Sequence, residues 1–177
     1  FPGFRPAGLA SIEPYYFRSQ VFGMSFSATT FRDIGLRGEA VYADQEGGQD
    51  DYVFWVAGVD RTFILGDSDI HVLLQYSEEE IVNEGSNPFQ EHDLRRIFDE
   101  TVSGKVKVDH RSGISIEVKG AWMLDDDCYY IQPRISAIVF DVWKVYLGYD
   151  FLEGPDDSFF GQYEDNSRVF FGIQYFF

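Results

Sequence analysis

The stretch VFFGIQYFF, from Val169 to Phe177, decides how the rest of the chain is read. Val169, Phe171, Ile173, Tyr175 and Phe177 share one side of an extended chain, whereas Gly172, Gln174 and the preceding Arg168 share the other. Strict alternation of this kind is the signature of a strand, because successive side chains point to opposite faces. Soluble domains usually finish on a polar, frayed tail. A terminal row of apolar side chains instead asks for an apolar environment along one face.

The same period recurs upstream in eight further segments. Phe22, Met24, Phe26 and Ala28 oppose Gly23, Ser25 and Ser27; Ile34, Leu36, Ala40 and Tyr42 oppose Arg37 and Glu39. Trp55, Ala57, Val59 and Phe63 oppose Gly58, Asp60 and Thr62, and Ile70, Val72, Leu74 and Tyr76 oppose His71, Gln75 and Ser77. Val102, Val106 and Val108 alternate with Lys105 and Lys107, and Ile114, Ile116, Val118 and Trp122 with Glu117 and Lys119. Tyr129, Ile131, Ile135 and Ala137 then oppose Gln132, Arg134 and Ser136, while Trp143, Val145, Leu147 and Tyr149 oppose Lys144, Tyr146 and Asp150. Nine strands are expected, with no helix competing.

The connections alternate in kind. Short links fall at Thr30 to Asp33, Leu65 to Asp69, Asp109 to Gly113 and Val139 to Asp141. Longer or more acidic links fall between them, at Asp44 to Asp51, Glu78 to Arg95, Asp125 to Asp127 and Leu152 to Ser167. Short turns on one side and longer loops on the other are what outer-membrane barrels have.

Composition narrows the function classes. Among 177 residues, Asp and Glu number 30 against 14 Lys and Arg, for a net charge of −16, which argues against a phosphate-binding surface and hence against nucleic acid. No run approaches the roughly 20 apolar residues of a spanning helix, so any insertion must use strands. The opening residues Phe1 to Pro6 carry no signal-like segment, which suggests that a leader or a longer upstream portion has been removed. Cys128 is the single cysteine, so no internal disulfide and no Cys-based zinc cluster is expected. His71, His92 and His110 show no zinc-type spacing, and neither a nucleophile elbow nor a phosphate loop is present; no metal, no cofactor and no enzyme activity is expected.

Alternation alone leaves open which face is wet, since a soluble lipocalin-like barrel has the same period with its apolar side inward. Tyr42, Trp55, Tyr76, Trp122, Tyr129, Trp143, Tyr149 and Tyr175 cluster near strand ends on the apolar face, as amphipathic rings at a headgroup region do. The alternating row Val169, Phe171, Ile173, Tyr175 and Phe177 resembles the β-signal by which the barrel-assembly machinery recognises its clients. GLRGEAVY (Gly35 to Tyr42), VAGVDRTF (Val56 to Phe63) and DSFFGQYEDNSRVFFGIQYFF (Asp157 to Phe177) resemble the C-terminal half of large proteobacterial outer-membrane barrels known only as a domain of unknown function, broadly similar to alginate-export-like porins. The resemblance implies an all-β, antiparallel transmembrane β-barrel in a Gram-negative outer membrane, surrounded by its lipids and lipopolysaccharide. It carries no binding residue with it.

On this reading residues 1–15 form an irregular segment on the extracellular side, and 16–177 form barrel strands with acidic extracellular loops. Nine strands leave the two chain ends on opposite sides, whereas single-chain bacterial barrels normally have an even number. The chain is therefore expected to be part of a larger or split barrel, completed by an upstream segment or a second chain; the other reading is a tenth strand within Gly8 to Tyr16.

The polar face is expected to line a lumen. It carries Arg37, Lys105, Lys107, Lys119, Arg134, Lys144 and Arg168 against Glu39, Asp60, Glu117 and Asp150. An excess of positive charge there favours small polar or anionic solutes passing passively, unless neighbouring strands pair these charges and merely stiffen the wall. A structural scaffold in a multi-chain complex and a soluble lipophile-binding barrel are the alternatives. The acidic loops are read as solvated charge rather than calcium sites, for want of EF-hand spacing.

Overall fold

The computed structural model describes residues 18–30, 32–86 and 99–177. These form an all-β protein: nine antiparallel strands in one sheet, in the order β1 to β9 with every neighbour consecutive in sequence. The strands are β1 (Ser19–Thr29), β2 (Ile34–Gln45), β3 (Asp51–Leu65), β4 (Ser68–Asn83), β5 (Thr101–His110), β6 (Ile114–Met123), β7 (Cys128–Val139), β8 (Trp143–Glu153) and β9 (Arg168–Tyr175). The only helix among the described residues is a 3₁₀ turn, Gly161–Asn166, in the β8–β9 loop. The sheet is not closed: β1 and β9 are its edges and do not pair with each other.

Register carries the face assignment from strand to strand, because directly opposed residues point the same way. Starting from Phe26 the chain of partners runs through Gly38, Ala57 and Tyr76 to Val102 and Trp122. From there it continues through Tyr129 on β7, while Ile135, Leu147 and Phe171 extend the same face to β9. One continuous apolar face therefore spans all nine strands. The other face holds the charged rows.

The connections divide as expected between two ends of the sheet. The β1–β2, β3–β4, β5–β6 and β7–β8 strand pairs join at the short end, and β2–β3, β4–β5, β6–β7 and β8–β9 have their connected ends at the long one. At the short end Phe140 and Asp141 both adopt positive φ, 54° and 61°. That is the two-residue geometry whose twist matches antiparallel strands.

Two boundaries differ from expectation. β4 continues through Glu78, Glu79 and Glu80 to Asn83, because β3 begins at Asp51 and supplies partners for each of them. β9 stops at Tyr175, which pairs with Trp143, the first residue of β8; Phe177 lies beyond the ladder, although Phe176 N still donates to Val142 O at 2.8 Å. The expected irregular segment 1–15, the alternative strand at Gly8 to Tyr16, His92 and the second half of the Glu78 to Arg95 link lie outside the described residues.

Burial is inverted relative to a water-soluble sheet. On the apolar face Ile116, Ile135 and Leu147 are 49%, 48% and 51% exposed, whereas on the polar face Thr101, Ser136 and Asp150 are 1%, 6% and 8% exposed. The buried apolar side chains among the described residues are Ala43, Met123 and Cys128, and register puts all of them on the polar side at the long-loop end.

Candidate functional site

All eleven charged residues expected to share a face do so by register: Arg37, Glu39, Asp60, Lys105, Lys107, Glu117, Lys119, Arg134, Lys144, Asp150 and Arg168. Many are paired across strands. Arg134 Nη2 donates to Glu117 Oε1 at 2.9 Å from the directly opposed position. Arg168 Nε donates to Asp150 Oδ2 at 3.0 Å, again between direct partners. Arg37 Nε lies 2.9 Å from Asp60 Oδ1, close enough for an ion pair though off the line of a hydrogen bond. Lys107 meets Asp109 within its own strand at 2.7 Å.

Three cations are left over. Lys105, Lys119 and Lys144 make no ion pair among the described residues, and Lys105 stands directly opposite Lys119. Opposed like charges on one face of a ladder repel.

The densest part of this face is the long-loop end of β7, β8 and β9. Asp150 is its hub: besides Arg168 on β9 it accepts from Tyr130 Oη at 3.2 Å and from Gln132 Nε2, both on β7. The β8–β9 loop folds over the hub. Ser158 Oγ donates to Pro155 O at 2.7 Å and accepts from Gly161 N at 3.0 Å, while Leu152 N donates to Ser167 Oγ at 3.1 Å. The packing is tight enough that a Cβ on Gly154 would overlap Cys128, which accounts for that thiol's complete burial. Phe160 is thereby laid against Tyr130, with ring centroids 6.0 Å apart and planes at 27°.

Between loop and sheet runs a cleft of about 470 Å³, with Tyr130, Phe159, Phe160 and Tyr163 on its aromatic side. Gln132, Asp150, Asn166 and Arg168 supply its polar side. Sequence reasoning placed Asp150 and Arg168 on this face but missed the loop aromatics. Their only trace in the sequence is the pair Phe159-Phe160 inside an otherwise polar, acidic link.

A second cluster at the same end is acidic. Asp99 Oδ1 accepts from the backbone N–H groups of Glu79 and Glu100, at 2.8 and 3.0 Å. The Asp125 carboxylate beside Glu100, together with partial burial, raises the Glu100 pKa above the ordinary carboxylate value. Among the described residues no group of three or more His, Cys, Asp or Glu is arranged to hold a metal ion.

Val169, Phe171, Ile173 and Tyr175, the row whose alternation resembles a β-signal, lie on the apolar face of edge strand β9, all at least half exposed. Tyr175 packs on Trp143 at 4.7 Å. What the fold defines is thus a class: an all-β protein of one nine-stranded antiparallel meander with an exposed apolar face and a charged opposite face. No family model, curated protein or solved structure matches the chain.

Proposed function

We propose that the chain forms part of the wall of a Gram-negative outer-membrane β-barrel and that the barrel is a channel for small polar or anionic solutes. One observation carries the reading: the apolar face is the exposed one and the polar face the crowded one. In water that arrangement is the costly one; each side chain of Leu or Ile size left wet forgoes roughly 1.5–3 kcal/mol of burial. Against lipid tails the cost disappears, and strands can tolerate hydrocarbon because their backbone groups bond to neighbouring strands.

Three further features support it. The strands are 8 to 16 residues long, around the roughly 9–11 needed to cross a bilayer. Trp55, Tyr76, Trp122 and Tyr129 lie toward one end of the apolar face and Trp143 and Tyr175 toward the other, as two aromatic girdles would. Lys105 and Lys119, opposed across β5 and β6 with no ion pair among the described residues, give the polar face a local positive site, while Glu39, Asp69 and Glu79 balance its leftover lysines in number.

The outer edges of β1 and β9 have no partner within the sheet. In hydrocarbon such edges are unsustainable, so the proposal includes further strands, from the same polypeptide or another, that complete the barrel. Outer-membrane lipid and lipopolysaccharide then contact the apolar face, and the assembly machinery reads the β9 row.

The pairing of Arg37 with Asp60, Glu117 with Arg134 and Asp150 with Arg168 favours a second reading, a stiff barrel that serves as scaffold in a larger assembly. Planar bilayers separate the two. Discrete conductance steps from the purified assembly are expected; folded, membrane-inserted protein that stays electrically silent would leave the scaffold.

A further inference from the structure

We propose that the cleft between the β8–β9 loop and the polar face binds a neutral saccharide. The inference stands on the polar face alone and does not require that face to line a pore.

Shape and lining come first. A cleft of about 470 Å³ lies within the roughly 300–1,000 Å³ of small-molecule sites, room for a mono- or disaccharide. Its aromatic side is a connected row: Phe160 stacks on Tyr130, Phe159 meets Phe160 edge-on at 5.1 Å, and Tyr163 meets Phe159 edge-on at 6.1 Å. A pyranose presents flat patches of C–H to such rings while its hydroxyls point outward around the rim. The opposite side offers planar polar groups for that rim. Gln132 spends its amide nitrogen on Asp150 and keeps its carbonyl oxygen; Arg168 spends Nε on Asp150 and keeps both terminal nitrogens; Asn166 adds an amide.

Charge then selects among ligands. Both oxygens of Asp150 are engaged, and the Arg168 guanidinium stands at the cleft with its side chain 74% exposed, which repels a cation that would otherwise suit the rings. Asp156, Asp157, Glu164 and Asp165 stand exposed within the same loop and repel an anion. A neutral, hydroxyl-rich ring meets neither penalty. The site is also preformed, since Asp150 holds donors from β7 and β9 in place and the loop is pinned by its own serines; little ordering cost remains to be met on binding.

The test is saturation-transfer NMR on the full chain in detergent micelles, with maltose, glucuronate and choline each titrated alone. Maltose is expected to bind and the two charged compounds to bind more weakly. Tyr163 is 46% exposed, so Tyr163→Ala should retain the β-sheet circular dichroism while weakening maltose roughly tenfold. Binding of glucuronate or choline without maltose overturns the proposal, as does maltose affinity unchanged in both Tyr163→Ala and Phe159→Ala. An electrically silent protein that still binds maltose removes the channel and keeps this site; conductance without maltose binding does the reverse.

Discussion

The ring of Phe170 covers Gly148, its direct partner across the β8–β9 ladder, and one step along the ring of Tyr146 covers Gly172 in the opposite sense. The two rings meet edge-on at 6.3 Å. Each glycine is a socket for the aromatic facing it, a device that fixes register and shields backbone at a sheet edge.

Filling a socket should therefore cost stability. A Cβ on Gly148 would overlap the Phe170 ring, so Gly148→Ala is expected to destabilise by about 1–3 kcal/mol, as overpacking does. Urea unfolding in micelles measures it. Phe170→Ala in the same background should recover most of the loss, because the two changes share one space. Losses that simply add would mean that ring and glycine are not coupled.

Asp150 ties three strands through one carboxylate. Asp150→Ala leaves Tyr130, Gln132 and Arg168 without their common acceptor, and an expected cost on the order of 2 kcal/mol follows from the unpaired donors, discounted because Arg168 reaches solvent. Asp150→Asn keeps one acceptor oxygen and should cost less. Equal unfolding midpoints for the two variants would show that charge alone matters at this hub.

Much of this arrangement was legible in the sequence, and the reason is periodicity. Register follows from hairpin turns in a meander, so reading Phe26, Trp122 or Phe171 onto one shared face needed only parity within each strand. What parity cannot supply is distance along the chain. Glu78, Glu79 and Glu80 read as a loop because carboxylates are poor strand formers; only the length of β3 opposite them reveals the ladder. The cleft escaped for a similar reason. Phe160 finds Tyr130 because a fourteen-residue loop, 154–167, folds back over the sheet, and nothing local in the loop says where it folds.

Glu100 supplies a pH dependence. The adjacent Asp125 carboxylate, then partial burial, raises its pKa in the fold, so the folded state binds that proton more tightly than the unfolded chain. The stabilisation this represents is complete below the ordinary value near 4.5 and is lost as pH rises through the folded value. At neutral pH the pair repels. Glu100→Gln is accordingly expected to raise Tm at neutral pH, with the gain over wild type shrinking as pH falls toward that ordinary value; a gain constant across the range would place its origin elsewhere.

All three tryptophans, Trp55, Trp122 and Trp143, lie on the apolar face, which makes their fluorescence a reporter of what touches it. Vesicles whose acyl chains carry bromine should quench them strongly, and aqueous iodide weakly. Trp122 is the informative case, because its indole Nε1 donates to Asp127 at 3.3 Å near the long-loop end, which on the proposed membrane reading is the edge of the hydrocarbon. Strong iodide quenching with no bromine effect would mean that this face meets water, and the membrane reading would fall.

Lys105 and Lys119 face each other across the β5–β6 ladder, with no ion pair to either among the described residues, an arrangement that costs up to about 1 kcal/mol. If the polar face lines a conducting path, that positive charge acts on passing ions. Lys119→Glu should then raise stability by under about 1 kcal/mol by pairing with Lys105, and shift the reversal potential in a salt gradient toward cations. Removing Glu117 and Arg134 together, as Glu117→Gln with Arg134→Gln, deletes a matched pair and should leave the potential nearly where it was. The contrast separates charge that faces permeant ions from charge that binds strand to strand. A Lys119→Glu protein that grows more stable with no change in reversal potential would assign both lysines to the wall and not to the path.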